Sequence, residues 1–316
     1  MRTLTINKND SNIRLDKFLG KYFPTMPKSL MYKYIRLKCI KINGKKVVET
    51  QNLNENDVLT FFISDEFFGA KKENQFMSVK PNVNVVFEDS NIIIVNKPSG
   101  MIVHSDDKEE FNTLINHVKA YLYQKKEYNP ESENSFSPAL CNRIDRNTEG
   151  LIIAAKTAEA LRILNDKIKN HEIEKKYLCV VHGIPKSNEE TLTDYIEKIS
   201  DENRVILSKH KNASNKIAVL KYKNIQTNPV KKLTLLEVTL ITGRTHQIRA
   251  QLANIGHPLL GDGKYAENKE DRKAGFVSQA LSAYTLTFKF NPPATSLEYL
   301  NGRIFNASKP DFLKLF

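Results

Sequence analysis

Cysteine is scarce in this 316-residue chain, and tryptophan is missing. Cys39, Cys141 and Cys179 lie far apart and form no CxxC pair. That spacing excludes a disulfide framework and a cysteine-based zinc site, and it fits a reduced, cytoplasmic protein. Apolar runs are short. Ile92-Ile93-Ile94-Val95 is typical of the longest, far below the ~20 residues a membrane helix needs. The N-terminal stretch MRTLTINKNDSNIRLDKFL lacks the apolar region of a secretory signal. There is no GxxxxGK[ST], no GxGxxG and no GxSxG. Their absence argues against a P-loop, a dinucleotide fold and an α/β-hydrolase. His104, His246 and His257 have no tight metal-ligand spacing.

What the chain does have is positive charge. Its 48 Lys and Arg exceed its 36 Asp and Glu, for a net of +12 and a pI near 9.3. Residues 1–50 hold 12 basic and 3 acidic groups, a net of +9, so only +3 remains for the other 266. A proteome-wide lysine bias would not gather in one segment. Local excess of this kind attracts polyanions through counterion release, and nucleic acid is the commonest such partner. With 40% hydrophobic residues the chain is too apolar to be disordered. Its length suits about two domains.

Periodicity sketches them. Apolar residues at 15, 18, 19 and 22 predict a first helix, capped by Ser11 or Asn12. Pro24 and Pro27 separate it from a second helix over Lys28 to Leu37, whose polar face carries Lys28, Lys33, Arg36 and Lys38. Asn43-Gly44 predicts a hairpin turn, and Asp57 to Ile63 a closing strand. Residues 65–82 read as a linker between a small α/β unit, 1–64, and a larger one, 83–316. In the larger unit strands are expected over 83–89, 92–95, 151–155, 177–181, 217–222, 233–240 and 284–290. Helices are expected over 112–123, 157–170 and 245–255, the last closed by Gly256. Residues 124–137 read as a polar surface excursion. The class is α+β with a largely antiparallel mixed sheet.

Four stretches combine turn residues with charge: Lys97 to Gly100, Asn142 to Gly150, Glu174 to Tyr177, and Thr242 to Arg249. Asp145 sits between Arg143 and Arg146. Close cations favour its carboxylate form, and a poised carboxylate can act as nucleophile or base. Taken singly, each feature has an ordinary reading. Asp145 would be a loop salt bridge, Arg249 a residue at the edge of a helix's buried face, Tyr177 a core tyrosine and Cys141 a packing residue.

In order and spacing, however, the four stretches resemble the RluA-type pseudouridine synthases. Lys97-Pro98-Ser99-Gly100 is followed by Asn142-Arg143-Ile144-Asp145-Arg146-Asn147-Thr148-Glu149-Gly150, by Lys175-Lys176-Tyr177, and by Thr242-Gly243-Arg244-Thr245-His246-Gln247-Ile248-Arg249. Gly256-His257-Pro258 and Gly261-Asp262 come next. The resemblance covers about residues 83–290. Residues 11–63 separately resemble the small RNA-binding module shared with a small-subunit ribosomal protein.

The resemblance implies isomerisation of uridine in RNA to pseudouridine without metal, nucleotide or redox cofactor. It makes Asp145, Tyr177 and Arg249 the catalytic residues. It makes Arg143, Arg146, Thr148, Lys97, Arg244, His246 and Gln247 substrate-binding, with Arg143 filling the place of the flipped nucleotide. Lys28, Lys33, Arg36 and Lys38 would anchor the RNA. Large-subunit ribosomal RNA is the expected partner, with transfer RNA as the alternative, and the chain is expected to act as a monomer. Two positions depart from the family pattern. Asn142 stands where His is usual, and Glu149 where Ser is usual; an inward Glu149 would raise the pKa of Asp145. The competing readings are a non-catalytic RNA-binding or ribosome-assembly factor and a hydrolase using Cys141 or His246. Retention of Asp145, Tyr177 and Arg249 together favours the enzyme.

Overall fold

The computed structural model describes residues 1–69, 74–199, 202 and 204–316. The N-terminal part begins with strand β1 (Arg2–Thr5), then helices α1 (Leu15–Tyr22) and α2 (Lys28–Arg36). Strands β2 (Ile40–Ile42), β3 (Lys45–Lys46) and β4 (Val58–Phe61) follow. The sheet order is β1-β4-β2-β3, all antiparallel. Asn43 and Gly44 both take positive φ, 51° and 74°, the twist that a two-residue hairpin between right-twisted strands requires. Helix α1 starts at Leu15, the first residue of its apolar pattern, and neither Ser11 nor Asn12 caps it. Asn12 is left-handed, with φ of 57°, and the chain turns there. The first helical amides, of Leu15 and Asp16, instead donate to the carbonyls of Gln51 and Glu49, at 2.8 and 3.0 Å. Phe18, Phe23, Phe61 and Leu59 fill a core of this part's own.

The larger part contains β5 (Val85–Glu88), β6 (Ile92–Lys97), α3 (Leu114–Gln124), β7 (Ala139–Leu140), β8 (Glu149–Ala155) and α4 (Ala158–Lys169). Strands β9 (Ile173–His182), β10 (Glu189–Ile199), β11 (Arg204–Ser208), β12 (Lys216–Asn228) and β13 (Leu233–Leu240) continue it. Helices α5 (Gln247–Asn254) and α6 (Lys269–Lys273) precede β14 (Leu281–Phe288) and β15 (Ile304–Asn306). Among the described residues these strands form one 11-stranded sheet, ordered β11-β10-β12-β13-β9-β14-β8-β6-β5, with β15 on β14 and β7 on β8. All of these pairs are antiparallel except β14 with β8. The architecture is therefore the α+β, mixed but mostly antiparallel one.

Both faces of the central strands are covered, so β6 reads as continuous apolar sequence. Ile93 and Val95 face one core with α3 and α5. Ile92 and Ile94 face the other with α4. Each of these four side chains is fully buried, worth about 1.5–3 kcal/mol apiece in transfer terms. Where β8 meets β14, Gly150 has φ of 117°, and a Cβ there would lie 2.3 Å from the Ala283 carbonyl oxygen. Only glycine lets the two backbones approach this closely. That approach sets the loop before it, which carries Asp145.

Three expectations change. The linker expected at 65–82 is not featureless where described. Phe67 and Phe68 pack on the N-terminal core and Phe76 is buried in the larger one; residues 70–73 lie outside the described residues. The excursion at 124–137 is a docking element. Its Asn134 and Ser135 donate to the buried Asp10 carboxylate, at 2.8 and 2.6 Å, and Glu133 accepts from Asn7 and Asn9. Strands β1, β10 and β11 escape the periodic reading. In β10 the inward stripe of Leu192 and Ile196 is broken by Asp194, which is buried and accepts from Gln251 Nε2 at 2.7 Å.

Candidate active site

Helix α5 lies against the sheet with Gln247 through Leu252 all buried, so it is covered on every side rather than amphipathic. It starts after His246, not at Thr245, because His246 holds a left-handed backbone, φ 51°. That conformation costs a non-glycine residue on the order of 1 kcal/mol. The preceding turn is tied by Gln247, whose Oε1 accepts from Thr242 Oγ1 at 2.9 Å and the Arg244 amide at 3.0 Å.

Arg249, one turn on, is not at the edge of a solvated face: its side chain is only 8% exposed. Its guanidinium is gripped as a fork by Asp262, Nε to Oδ2 at 2.7 Å and Nη2 to Oδ1 at 2.8 Å. The remaining Nη1 donates to Asp145 Oδ2 at 3.1 Å. Asp262 is 1% exposed. Burial alone would raise its pKa, but the hydrogen bond and charge of Arg249 outweigh burial and hold it below 3.8. Backbone amides support the same carboxylate, Lys264 N–H donating to Oδ1 at 2.9 Å. Asp262 thus orients the arginine, and the arginine orients Asp145.

Asp145 lies on the loop between β7 and β8. Its carboxylate is 21% exposed, so it remains open on one side. Arg146 beside it turns away to pair with Asp106 at 3.2 Å. Asn142, in the place of the usual His, accepts from the Ile153 amide at 2.8 Å and donates to the Leu151 carbonyl at 3.3 Å. It therefore stitches the start of the loop to β8. Glu149 is half-buried. Burial and the charge of Asp311 raise its pKa, against Lys97, and it is not among the groups around the cavity.

That cavity, of about 250 Å³, opens on Asp145. Arg143, Thr148, Tyr177, Leu240, Ile248 and Leu281 contribute walls. Tyr177, on β9, is buried, and burial together with the nearby Asp145 charge raises its pKa, so it stays a phenol. Arg143 is exposed at the rim and Arg244 half-exposed, its Nε donating to the Ile217 carbonyl at 3.0 Å. Thr148 is buried and accepts from Gln279 at 3.2 Å.

Lys97 is placed differently from its expected role in binding substrate. It is 0% exposed, and its ammonium donates to the carbonyls of Pro98, Met101 and Arg146 at 2.7–2.8 Å. All three of its donors are used. It clamps the 97–101 loop to the Asp145 loop. Burial pushes its pKa down to about 8, against the pull of Asp145 and Glu149. Cys141 does not line the cavity, and burial pushes its thiol up to about 12.

His246 Nε2 lies 3.8 Å from Asp145 Oδ2, and Nδ1 is 2.9 Å from Tyr265 Oη. Tyr265 Oη accepts from the Val205 amide at 3.1 Å, so its own hydrogen is free to go to Nδ1. The Nε2–H tautomer, facing Asp145, follows. Burial pushes the His246 pKa down to about 4, opposed by Asp145 and helped by Arg249. A folded pKa below the unfolded value of about 6.5 favours the neutral ring. Its contribution to stability is complete above pH 6.5 and is lost as pH falls towards 4. Urea midpoints should therefore drop between those pH values, and His246→Gln should drop less. Equal drops would contradict this ionisation.

Sequence reasoning missed Asp262 and Tyr265. Asp262 stood in the quoted Gly261-Asp262 pair without a role; Tyr265 carried no local signal. Of the expected site residues, the fold gathers Asp145, Tyr177, Arg249, Arg143, Thr148, Arg244, His246 and Gln247 around one cavity. Arg146 lines an adjoining hollow. Lys28, Lys33, Arg36 and Lys38 are all exposed on or beside α2, in the other part of the chain.

Comparison with known proteins agrees with this geometry. Residues 91–254 match the family model described as RNA pseudouridylate synthase. The chain is 34% identical over 319 residues to an uncharacterized RNA pseudouridine synthase of Mycoplasma capricolum subsp. capricolum, covering 99% of each. It is 32% identical over 272 residues to the ribosomal large subunit pseudouridine synthase C of Buchnera aphidicola subsp. Baizongia pistaciae, covering 85% of this chain and 82% of that protein. Human RNA Pseudouridylate Synthase Domain Containing 4 shares the fold, with a TM-score of 0.58 at 19% identity over 73% of this chain and 90% of that one. Sequence, fold and cavity together place the chain in the RluA-type RNA pseudouridine synthases, isomerases that act on uridine in RNA.

Proposed function

We propose that the chain isomerises uridine in large-subunit ribosomal RNA and that Asp145 performs the chemistry on a flipped nucleotide. One observation carries the reading: an open carboxylate at an apolar-walled cavity, braced by an arginine that is itself locked by Asp262. The glycosidic carbon cannot be reached inside a stacked helix, so the nucleotide must leave it. Arg143, exposed at the rim, then occupies its place. The uracil stacks on Tyr177, which as a neutral phenol offers its face to the base.

The ribose meets Asp145. Whether the carboxylate adds to C1′ or takes a proton from C2′, it must be held in place, and Arg249 holds it through Nη1. The N1–C1′ bond breaks, the uracil turns, and C5 bonds to C1′. The C5 proton goes to solvent and N1 gains one, so the reaction is an isomerisation. The large-subunit target rests on the name of the Buchnera relative and on the module ahead of the enzyme.

We assign residues 1–64 to RNA anchoring and 83–316 to catalysis. Lys28, Lys33, Arg36 and Lys38 make no ion pair among the described residues. Reversing charge at Lys33, Arg36 and Lys38 should weaken RNA binding by about 10-fold or more and lower its salt slope by about 2. Filter binding at several salt concentrations reads both, and an unchanged slope would remove the anchor. Carbodiimide mapping of pseudouridine in total RNA, with and without the gene, names the target. Loss of a transfer RNA site alone would overturn the ribosomal assignment.

A further inference from the structure

A second hollow, of about 510 Å³, opens beside the catalytic cavity, and Arg204, Lys264 and Arg272 line it. Arg249 lines both, so the two meet at the guanidinium that braces Asp145. A third, of about 380 Å³, bridges them. It shares Asp145 and His246 with the first and Asn147, Lys264 and Gln279 with the second.

Charge is unbalanced in the second hollow. Arg249 and Asp262 neutralise each other there through their fork. Among the described residues that line it, that leaves Arg204 and Arg272, with Lys264 beside them, against Glu202. Neither Arg204 nor Arg272 makes an ion pair among the described residues. Arg204 and Arg249 also share an aromatic neighbour. The Cζ of Arg204 lies 5.5 Å from the centroid of the Tyr265 ring, and that of Arg249 lies 5.4 Å from the same centroid. Arg249 has its carboxylates; Arg204 pairs with none among the described residues.

We propose that this hollow holds a backbone phosphate of the RNA strand next to the nucleotide being isomerised. The inference rests on the isomerase reading and adds a site to it. Guanidinium forks suit phosphate oxygens, and the bridging hollow gives the strand a continuous path from Asp145. It also explains how a part of the chain carrying only +3 in its 266 residues can hold RNA at the site. Two of its arginines stand where the strand passes.

The double variant Arg204→Gln with Arg272→Gln tests the site, with Lys231→Gln, at an exposed turn between β12 and β13, as control. RNA affinity, KM and kcat are read on one target RNA between about 50 and 200 mM salt. The expected result is a salt slope lower by about 1, a KM raised about tenfold and kcat within about twofold. Arg204→Lys with Arg272→Lys should recover most of the slope, which shows that charge is what was lost. A slope and KM equal to those of the control would overturn the proposal. So would a fall in kcat at unchanged slope, which would make the arginines mere supports of Tyr265. If the wild-type protein bound this RNA but formed no pseudouridine, the isomerase reading would fail instead. The binding slope would still judge the phosphate site.

Discussion

Asp145→Asn will form pseudouridine ~10⁴-fold more slowly or worse, as loss of a nucleophile or base does elsewhere, while binding RNA with nearly wild-type affinity. The side chain changes by one atom, and Asn can still accept from Arg249 Nη1, which now stands 3.1 Å from the carboxylate. In the proposed function, binding rests on other groups: the exposed cations of α2 and the arginines at the rim. A neutral amide, however, neither attacks C1′ nor takes a C2′ proton. Primer extension after carbodiimide treatment gives the rate, and filter binding gives the affinity. A parallel fall in both would mean that Asp145 holds RNA rather than transforms it.

The second large effect falls on a residue that does not touch the substrate. Asp262→Ala leaves Arg249 Nε and Nη2 without their partners in a buried site. Stranding one member of a buried pair costs about 3–5 kcal/mol, which urea denaturation at neutral pH will read. Activity should fall by about 10²-fold or more, because an unforked arginine no longer fixes the Asp145 carboxylate. Adding Arg249→Met to Asp262→Ala should restore part of the stability but none of the activity, since it removes the stranded charge and the brace together. Acid gives an independent check. The pKa of Asp262 is lowered from 3.8, so its stabilising contribution is present above that value and is lost as pH falls through the lower folded one. The wild-type protein should therefore lose more stability below pH 4 than the double variant. Stability of Asp262→Ala within about 1 kcal/mol of wild type would show that the fork is not what holds Arg249 in place.

Much of the site was legible before any coordinates because its residues sit in short, ordered segments. Asp145, Tyr177 and Arg249 belong to three such segments, and the fold brings them to one cavity. Continuous apolar runs likewise revealed β6 and β8, whose two faces are both buried. What was illegible depends on contacts far apart in sequence. Lys97 looked like a cation offered to substrate, yet its partner carbonyl on Arg146 lies 49 residues away and shuts it in. Tyr265 reaches Val205 and His246 across 60 and 19 residues, and no local pattern marks it. Strand β10 hid because Asp194 occupies an inward position, where Gln251 from 57 residues on and Lys209 meet its two oxygens. The docking of residues 133–135 on Asn7, Asn9 and Asp10 spans more than 120 residues. A polar loop with such partners reads, in sequence, like any solvated excursion.

The central claim is that this cavity exchanges the C5–H of a uridine for a C5–C1′ bond. Tritium release measures that directly. A large-subunit ribosomal RNA transcript carrying C5-tritiated uridine is incubated with the purified wild-type chain, and label entering water is counted against enzyme and RNA. The account predicts release that continues beyond one turnover, stops at a fixed small number of tritons per RNA, and is absent with Asp145→Asn. Tight binding of the transcript by the wild-type chain without any release would contradict it.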